Sequence, residues 1–422
     1  MSRPIPVTIL SGSLGAGKTT LVNHLLSTAG DRDLAVLVND MGAVNVDAEL
    51  VAEGSELDPE GVTELSNGCI CCERQDDLEA AVVRLARERS FDHLVVESSG
   101  ISEPAPVARL FTTESRVAAL YDVNTLVTVV DSRLFFDSFA GESTPERRVT
   151  ADESEPTDEA DRPLSDLLIE QVEVSNLVLL NKADQCSDAE LDEVEALVAA
   201  LQPDAETIRT EFSVVDPDQL LGVDRFDRTA VEELPGWKRA LADHDSDDHH
   251  DDSPHSEDEH GHDDQHSHHD HRHPDQVYGV SSFVYRRRQP FDAKRLETVL
   301  QDLPPEIVRM KGTVWLAGTE TRITISQAGP SVRATAQGPW IASLPKIDRE
   351  MYRSNRPELP WDDDHGDRRT ELVVIGTDYD QEAISETFDD ALVEALSAGD
   401  DSDSSTDPFP TAPGDEVAIC EP

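Results

Sequence analysis

The eight residues from Gly12 to Thr19 constrain the fold more than any other part of the sequence. They match the pattern G-x-x-x-x-G-K-[ST], follow a short apolar run at residues 7–10 and precede a stretch with helical periodicity. In this setting, glycines allow successive backbone N–H groups to point inward, and the helix N-terminus adds a partial positive charge. The sequence therefore predicts a phosphate-binding loop between a strand and a helix.

The side chains of this loop suit a nucleoside triphosphate bound with Mg²⁺. Lys18 is expected to reach the β- and γ-phosphate oxygens, and the Thr19 hydroxyl to bind the Mg²⁺ ion. A second apolar strand ends at Glu97, where a carboxylate would face the Mg²⁺ and its waters. Lys18, Thr19 and Glu97 are thus the candidate catalytic residues. The expected phosphate contacts are Gly12, Ser13, Leu14, Gly15, Ala16, Gly17, Lys18, Thr19 and Thr20.

Asn181-Lys182-Ala183-Asp184 follows the apolar run at residues 177–180 and predicts that the base is guanine. The Asp184 carboxylate can accept hydrogen bonds from N1–H and the N2 amino group of guanine, whereas adenine offers neither donor. We expect Asn181 to contact N7 and O6, and the Lys182 stem to cover the base face. The motif favours GTP over ATP and argues against a P-loop kinase.

Cys69, Cys71 and Cys72 place three thiols within four positions. This spacing favours a metal site over a disulfide framework, because thiolates suit tetrahedral Zn²⁺ or a similar ion. The alternative is that they are small buried hydrophobic residues. The two other cysteines, Cys186 and Cys420, are isolated and are interpreted as incidental.

In their order along the chain, these motifs resemble those of the CobW-type metal-handling P-loop GTPases, relatives of the nickel-insertion GTPases of urease and hydrogenase maturation. Asn39-Asp40-Met41-Gly42 is similar to the switch segment of that family, and Arg309-Met310-Lys311-Gly312 to its C-terminal domain. The resemblance implies that GTP hydrolysis is coupled to loading or release of a metal at the three cysteines, usually Zn²⁺ and sometimes Co²⁺.

Three departures from the family pattern concern the switch segment and the phosphate loop. Asp40 replaces the usual Glu, and Ala43 stands where another acid is common, so a carboxylate ligand from this segment is in doubt. Ser13 replaces the usual Phe, which should not affect the phosphate contacts. The sequence contains no clear arginine finger or water-orienting Gln, so hydrolysis is expected to be slow without a partner.

Composition divides the chain into segments. Residues 1–242 predict a P-loop GTPase domain of the α/β class with a mostly parallel sheet, interrupted by an acidic, mobile insertion at 141–161. Residues 243–275 contain eleven of the 14 histidines and eleven Asp, which predicts a disordered, metal-collecting linker. Residues 276–396 predict a smaller α+β domain, and residues 397–422 a frayed acidic tail. In the smaller domain, helices are expected near 293–300 and 381–396, and strands near 277–286, 313–317, 322–326, 332–335 and 371–375.

The charge of the chain limits its partners. With 88 Asp and Glu against 35 Lys and Arg, the net charge is -53, which excludes a general nucleic-acid binder and disfavours anionic membranes. No long apolar run predicts a membrane helix, and we expect a cytoplasmic protein. Only six of the cations are Lys, a composition that resembles halophilic proteins, in which concentrated salt screens self-repulsion.

The leading hypothesis is a GTP-hydrolysing metallochaperone that delivers Zn²⁺ or Co²⁺ to a client metalloprotein or a metal-cofactor synthesis enzyme. Two alternatives stay open: a cobalt-handling factor of cobalamin synthesis, and a histidine-rich metal buffer in which nucleotide turnover is incidental.

Overall fold

The computed structural model describes residues 4–30, 32–38, 62–64, 75–100, 104–112, 116–140, 148–149, 163–226, 279–355, 359–393 and 408–422. Tertiary contacts divide the chain into two compact units. The first comprises Met1–Gly236, Gln327–Arg333 and Val417–Pro422, and the second comprises Trp237–Ser326 and Ala334–Glu416. The three clustered cysteines, the switch segment at 39–43 and the histidine-rich segment at 243–275 lie outside the described residues.

A parallel sheet forms the centre of the first unit. The strands described before residue 227 are β1 (Ile5–Ser11), β2 (Leu34–Val38), β3 (Val62–Glu64), β4 (His93–Glu97), β5 (Tyr121–Asp131), β6 (Arg148–Val149), β7 (Leu177–Asn181) and β8 (Glu206–Arg209). The order in the sheet is β3-β2-β4-β1-β5-β7-β8, and neighbouring strands are parallel. The carboxyl ends of these seven strands therefore meet at one edge of the sheet, where α/β proteins bind ligands.

Helices cover both faces of this sheet. They are α1 (Lys18–Thr28), α2 (Gln75–Glu88), α3 (Pro104–Thr112), α4 (Ser132–Phe139), α5 (Leu164–Glu173) and α6 (Asp188–Leu201). Leu94 and Val96 belong to one hydrophobic core, whereas Val95 between them belongs to a second core that includes Leu21 of α1. Successive side chains of a strand point to opposite faces, so apolar runs without alternation form strands buried on both sides.

The second unit is built on an antiparallel arrangement. Its elements, with the three strands whose residues are divided between the two units, are β9 (Val280–Arg287), α7 (Ala293–Gln301), β10 (Ile307–Val314), β11 (Thr321–Ala328), β12 (Ser331–Pro339), α8 (Lys346–Asn355), β13 (Thr370–Thr377), α9 (Gln381–Asp390) and β14 (Glu416–Glu421). Strands β12, β11, β10, β13 and β9 are consecutive neighbours, and β13 pairs antiparallel with both β10 and β9. Apolar residues of α7 and α9, among them Leu296 and Phe388, are buried. The predicted α/β fold with a smaller α+β part is confirmed.

The prediction of a frayed C-terminal tail is wrong for residues 416–421. These residues form β14, whose Ala418, Ile419 and Cys420 are buried, and Cys420 lies opposite Val149 in an antiparallel pair with β6. Cys420 is therefore part of the packed interior, and the predicted insertion at 141–161 contributes a strand. The apolar run is only four residues long and is surrounded by Asp, Ser and Pro, so the polar average of the tail concealed it.

Two other elements differ from the sequence prediction. A strand was expected near 313–317, but β10 spans Ile307–Val314, because the cations Arg309 and Lys311 interrupt its apolar pattern. Arg309 is nevertheless buried and donates to Ser326 Oγ over 3.0 Å. The charged helix α8 was not predicted. No helix in the described part of the chain is long and apolar enough to span a membrane.

Candidate nucleotide-binding site

The phosphate loop requires glycine at two positions because other chain segments approach it closely. Gly12 and Gly17 have φ angles of 140° and 115°. A Cβ atom at Gly12 would lie 2.2 Å from the carbonyl oxygen of Val129, and one at Gly17 would lie 2.4 Å from Asn181 Nδ2. The glycines of the motif therefore let the loop pack against β5 and against the predicted base-reading motif.

Lys18 is held inside the loop. Its side chain is buried, and Nζ donates to the carbonyl oxygens of Gly12 over 2.8 Å and Ser13 over 3.1 Å. These contacts fix an ammonium group within the turn of the chain that the sequence assigned to phosphate. Leu14, Gly15 and Thr20 are exposed around this turn, and Ala16 is buried.

Thr19 and Glu97, which are 78 residues apart in the chain, meet at this edge of the sheet. Thr19 Oγ1 donates to Glu97 Oε1 over 3.1 Å, and Glu97 is only 1% exposed. Hydroxyl and carboxylate oxygens are the ligands that Mg²⁺ prefers. The structure thus brings together the two residues that the sequence assigned to Mg²⁺.

The segment after Glu97 is hydrogen-bonded to the end of β1 and lies close to the phosphate loop. Both the backbone N–H and the hydroxyl of Ser98 donate to the carbonyl oxygen of Leu10, each over 2.9 Å. A Cβ atom at Gly100 would lie 2.7 Å from the backbone nitrogen of Leu14. The chain after β4 therefore packs closely against the predicted phosphate loop at Gly100.

Asn181 has partners other than the base contact predicted for it. Its Nδ2 donates to the carbonyl oxygen of Ala16 over 2.7 Å. Its Oδ1 accepts from the backbone N–H of Ser213 over 2.7 Å and from Thr210 Oγ1 over 3.2 Å. Since Asn181 is 2% exposed, its amide connects the phosphate loop to the segment after β8. The structure therefore gives it a positioning role.

Lys182 and Asp184 lie at the surface beside Asn181. Lys182 Nζ forms an ion pair of 2.6 Å with Asp131 Oδ2, and Asp131 also accepts from the backbone of Leu134 at the start of α4. The ion pair therefore fixes the Lys182 ammonium group beside the start of α4. Asp184 is exposed in the turn Ala183–Gln185, and among the described residues its carboxylate makes no hydrogen bond.

Thr210 and Ser213, which lie in the segment after β8, were not predicted from the sequence. Ser213 Oγ donates to the carbonyl oxygen of Gly17 over 3.0 Å, and the backbone N–H of Ala183 donates to the carbonyl oxygen of Thr210 over 3.1 Å. Small polar residues after a strand are too common to mark a site by themselves. Only the order of the strands reveals them, because β8 lies three positions away from β1 in the sheet.

The predicted metal ligands Cys69, Cys71 and Cys72 belong to a segment that the structure does not describe. The parts of the chain that it does describe contain no cluster of three His, Cys, Asp or Glu residues suited to a metal ion. Burial, followed by the nearby Glu190 carboxylate, raises the pKa of the Cys186 thiol, which disfavours a thiolate at that position. The surroundings of Cys186 therefore do not favour metal binding.

Comparison with known proteins agrees with this geometry. Residues 6–209 match the model of the CobW/HypB/UreG nucleotide-binding domain, and residues 280–392 match the cobalamin synthesis protein CobW C-terminal domain. The chain is 36% identical over 397 residues to zinc-regulated GTPase metalloprotein activator 1 of Dictyostelium discoideum, an alignment that covers 88% of this chain and 76% of that protein. It is 37% identical over 209 residues to the zinc chaperone CobW of Pseudomonas aeruginosa, covering 48% and 55% of the two chains.

Among solved structures, the Zn(II)-bound YjiA GTPase of E. coli is 20% identical, with a TM-score of 0.38, and the match covers 93% of this chain and all of that one. The two family domains occur here in one chain, in the order seen in the sequence motifs. The chain has every residue of the phosphate-loop motif and is similar to the Dictyostelium protein over most of its length. It therefore belongs to the CobW family of P-loop GTPases.

Proposed function

We propose that this GTPase is a metallochaperone that binds Zn²⁺ at Cys69, Cys71 and Cys72 and delivers it to a client protein. The observation that carries the proposal is the similarity, over 397 residues, to a zinc-regulated GTPase metalloprotein activator. Three thiols within four positions supply the soft ligands that such a cargo requires. Co²⁺ suits the same donors, and a cobalt-handling role in cobalamin synthesis is the alternative cargo assignment.

The sheet supports a connection between nucleotide and metal. In the backbone register, Val38 lies opposite both Glu64 at the end of β3 and Glu97 at the end of β4. Two strand spacings separate Glu64 from Glu97, which corresponds to about 10 Å. The segment that carries the cysteines follows Glu64 directly in the chain, so it starts from the edge of the sheet that holds Thr19 and Glu97.

This placement suggests how GTP would act on the metal site. Thr19 and Glu97 would hold Mg²⁺, which would supply positive charge for phosphoryl transfer. Contacts to the γ-phosphate order switch segments in GTPases, and loss of that phosphate releases them. A segment that starts at the same sheet edge would thus change its metal affinity with the state of the nucleotide.

Zinc binding by cysteine variants of the full chain tests the assignment of the site. We expect one tight Zn²⁺ site that is lost in the triple substitution of Cys69, Cys71 and Cys72 by Ser, with GDP affinity retained. Cys186→Ser is the matched control, because this residue is also a cysteine beside the GTPase site, and it should bind Zn²⁺ like the wild type. A triple variant that keeps the tight site would contradict the proposal.

The histidine-rich segment at 243–275 favours a second function, a metal buffer, because eleven imidazoles among carboxylates can bind several divalent ions weakly. We propose that it is a linker that collects metal for the cysteine site. Its deletion distinguishes the two functions. A chaperone keeps one tight site after the deletion, whereas a buffer loses nearly all of its capacity. The domain limits 1–242 and 276–396 on either side of this linker belong to the same proposal.

The composition bears on where the protein works. We propose a cytoplasmic protein adapted to concentrated salt, on the basis of the net charge of -53 and of only six Lys among 35 cations. Screening of self-repulsion would then stabilise the folded state as salt increases. Thermal unfolding at rising KCl concentration tests this adaptation, and a melting temperature that does not increase with salt would contradict it.

A further inference from the structure

Backbone strain is concentrated in two loops beside the phosphate loop. Among the described residues, four that are not glycine have a left-handed backbone: Lys182, Phe212, Ser213 and Asp378. Three of these four belong to the loops that follow β7 and β8. Phe212 and Ser213 are consecutive, with φ angles of 53° and 55°. A bulky residue in this conformation is a true outlier, and such residues occur mainly at ligand sites, where surrounding contacts impose the conformation.

Hydrogen bonds impose the conformation here. The backbone N–H of Ser213 and its hydroxyl are bound to Asn181 Oδ1 and to the carbonyl oxygen of Gly17. The backbone N–H of Val214 closes a turn with the carbonyl oxygen of Glu211 over 3.1 Å. Ser213 is fully buried as a result.

These contacts place Phe212 at the surface beside the base-reading motif. The hydrogen bond from the backbone N–H of Ala183 to the carbonyl oxygen of Thr210 joins the two loops. Asp184 is one residue from Ala183 in the chain, and Phe212 is two residues from Thr210. Phe212 is 71% exposed. A single exposed aromatic residue is common on protein surfaces. An exposed aromatic residue with a strained backbone, on a loop hydrogen-bonded to the one that carries an exposed carboxylate suited to guanine, is a far more specific combination.

We propose that Phe212 stacks on the guanine base of the bound nucleotide. Asp184 would then bind the Watson–Crick edge of the base, and Phe212 would supply an aromatic surface for its face. Stacking of a base on an aromatic side chain excludes water from both surfaces and tolerates any base, so Phe212 adds affinity while Asp184 provides selectivity. The inference rests on guanine-nucleotide binding by this GTPase and is independent of metal delivery.

Binding of GDP and of inorganic tripolyphosphate to the full-length protein, without zinc, tests the role of Phe212. Tripolyphosphate occupies the phosphate loop but has no base. In Phe212→Ala, we expect GDP affinity to fall about tenfold or more, as for loss of one base–aromatic stack, while tripolyphosphate affinity stays unchanged. Phe212→Trp should retain GDP affinity, and the fluorescence of the new Trp should change with GDP but not with tripolyphosphate.

Val214→Ala is the matched control, because Val214 lies in the same loop and is also exposed, at 60%. It should leave the affinities for both ligands at the wild-type level. The proposal is overturned if GDP affinity is unchanged in Phe212→Ala. It is also overturned if the affinities for GDP and tripolyphosphate fall equally, since the loop would then only support the phosphate loop. A zinc affinity that is the same with and without nucleotide would refute the metallochaperone function but would leave the proposed role of Phe212 unaffected.

Discussion

Polar side chains serve different purposes in the two compact units. In the first unit, they gather at the carboxyl ends of parallel strands, where Lys18, Thr19, Glu97 and Asp184 share one edge of the sheet. In the second unit, several polar side chains are instead paired with one another or with the backbone. Antiparallel strands alternate their ends, so no single edge collects them. The difference shows how parallel topology makes a ligand site from residues that are distant in sequence.

Two clusters illustrate the internal pairing of the second unit. Asp389 accepts hydrogen bonds from Tyr285 Oη over 2.8 Å and from Arg287 Nε over 2.7 Å. The hydrogen bonds from Arg287 hold the pKa of the Asp389 carboxyl below its usual range. The buried Asp367 carboxylate accepts from the backbone N–H groups of Ile341 and Ala342 over 2.9 and 2.8 Å. Asp389 thereby connects α9 to β9, and Asp367 holds the backbone at Ile341 and Ala342.

Asp184→Asn should have the largest effect on ligand binding with little effect on stability. An amide places a donor opposite the donors of guanine, and two hydrogen bonds to a charged group are lost, so GDP affinity should fall roughly a hundredfold or more. Xanthosine diphosphate, whose C2 oxygen accepts from an amide, should bind the variant better than GDP. Competition binding measures the affinities for GDP and xanthosine diphosphate. An equal fall in both affinities would contradict the role of Asp184 in recognising guanine.

His93→Gln should change the pH dependence of stability, because His93 is buried at the amino end of β4, opposite the end that holds Glu97. Its Nε2 lies 2.8 Å from Thr8 Oγ1, and burial, aided by Arg32, lowers its pKa from 6.5 to about 4. Between pH 6.5 and about 4, His93 is protonated in the unfolded chain but stays neutral in the folded protein. This residue should therefore reduce stability by up to about 3 kcal/mol as pH falls from 6.5 to 4.

Urea unfolding of His93→Gln and wild type across this pH range isolates the contribution, since both proteins contain the same carboxylates. The difference between them should shrink or reverse as the pH falls. His24→Gln, on the half-buried side of α1, is the control. A constant difference from pH 7 to pH 4 would show that His93 does not titrate in this way.

Asp367→Asn should destabilise the second unit and leave nucleotide binding intact. The substitution replaces a charged acceptor of two backbone N–H groups with a neutral one, a loss of about 2 kcal/mol. Asp363→Asn, at a nearby exposed position, should cost far less. A change in GDP affinity in Asp367→Asn would break the proposed separation between site residues and structural residues.

Tyr285→Phe should have the smallest effect. The hydroxyl of this buried residue donates to Asp389, but Arg287 continues to hold the same carboxylate. Loss of the Tyr285 hydroxyl should reduce the free energy of unfolding by about 1 kcal/mol. Tyr352→Phe, in which the hydroxyl lies on exposed α8, is the control. Denaturant titration of both variants measures the difference, and equal stability would mean that the hydrogen bond contributes nothing net.

The sequence predicted those parts of the site that are contiguous in the chain. Residues 12–19 and 181–184 are continuous motifs next to apolar runs, and the structure places both at one sheet edge. The pairing of Thr19 with Glu97 followed from the end of an apolar strand. The contacts of Asn181 with Ser213 and Thr210 depend on which strands are neighbours, information that local patterns do not contain.

The remaining differences have the same origin. Strand β14 has neighbours far away in the chain, since Cys420 lies opposite Val149, and a run of four apolar residues does not reveal such partners. The buried Asp166 binds Ser331 Oγ over 2.7 Å, and Arg333 lies 3.3 Å from the same carboxylate. Three separate charged or polar residues of this kind are interpreted as surface residues when only composition is available.

Zinc affinity measured with and without nucleotide tests the central claim most directly. The protein would lack residues 243–275, so that the cysteine site is observed alone, and would be titrated with Zn²⁺ and Co²⁺ in molar KCl, with Mg²⁺ and a non-hydrolysable GTP analogue or without either. Lys18→Ala is the control that removes the nucleotide response. The account predicts a shift in metal affinity of about tenfold or more, or ~1.4 kcal/mol of coupling. Identical affinity in every nucleotide state would contradict it.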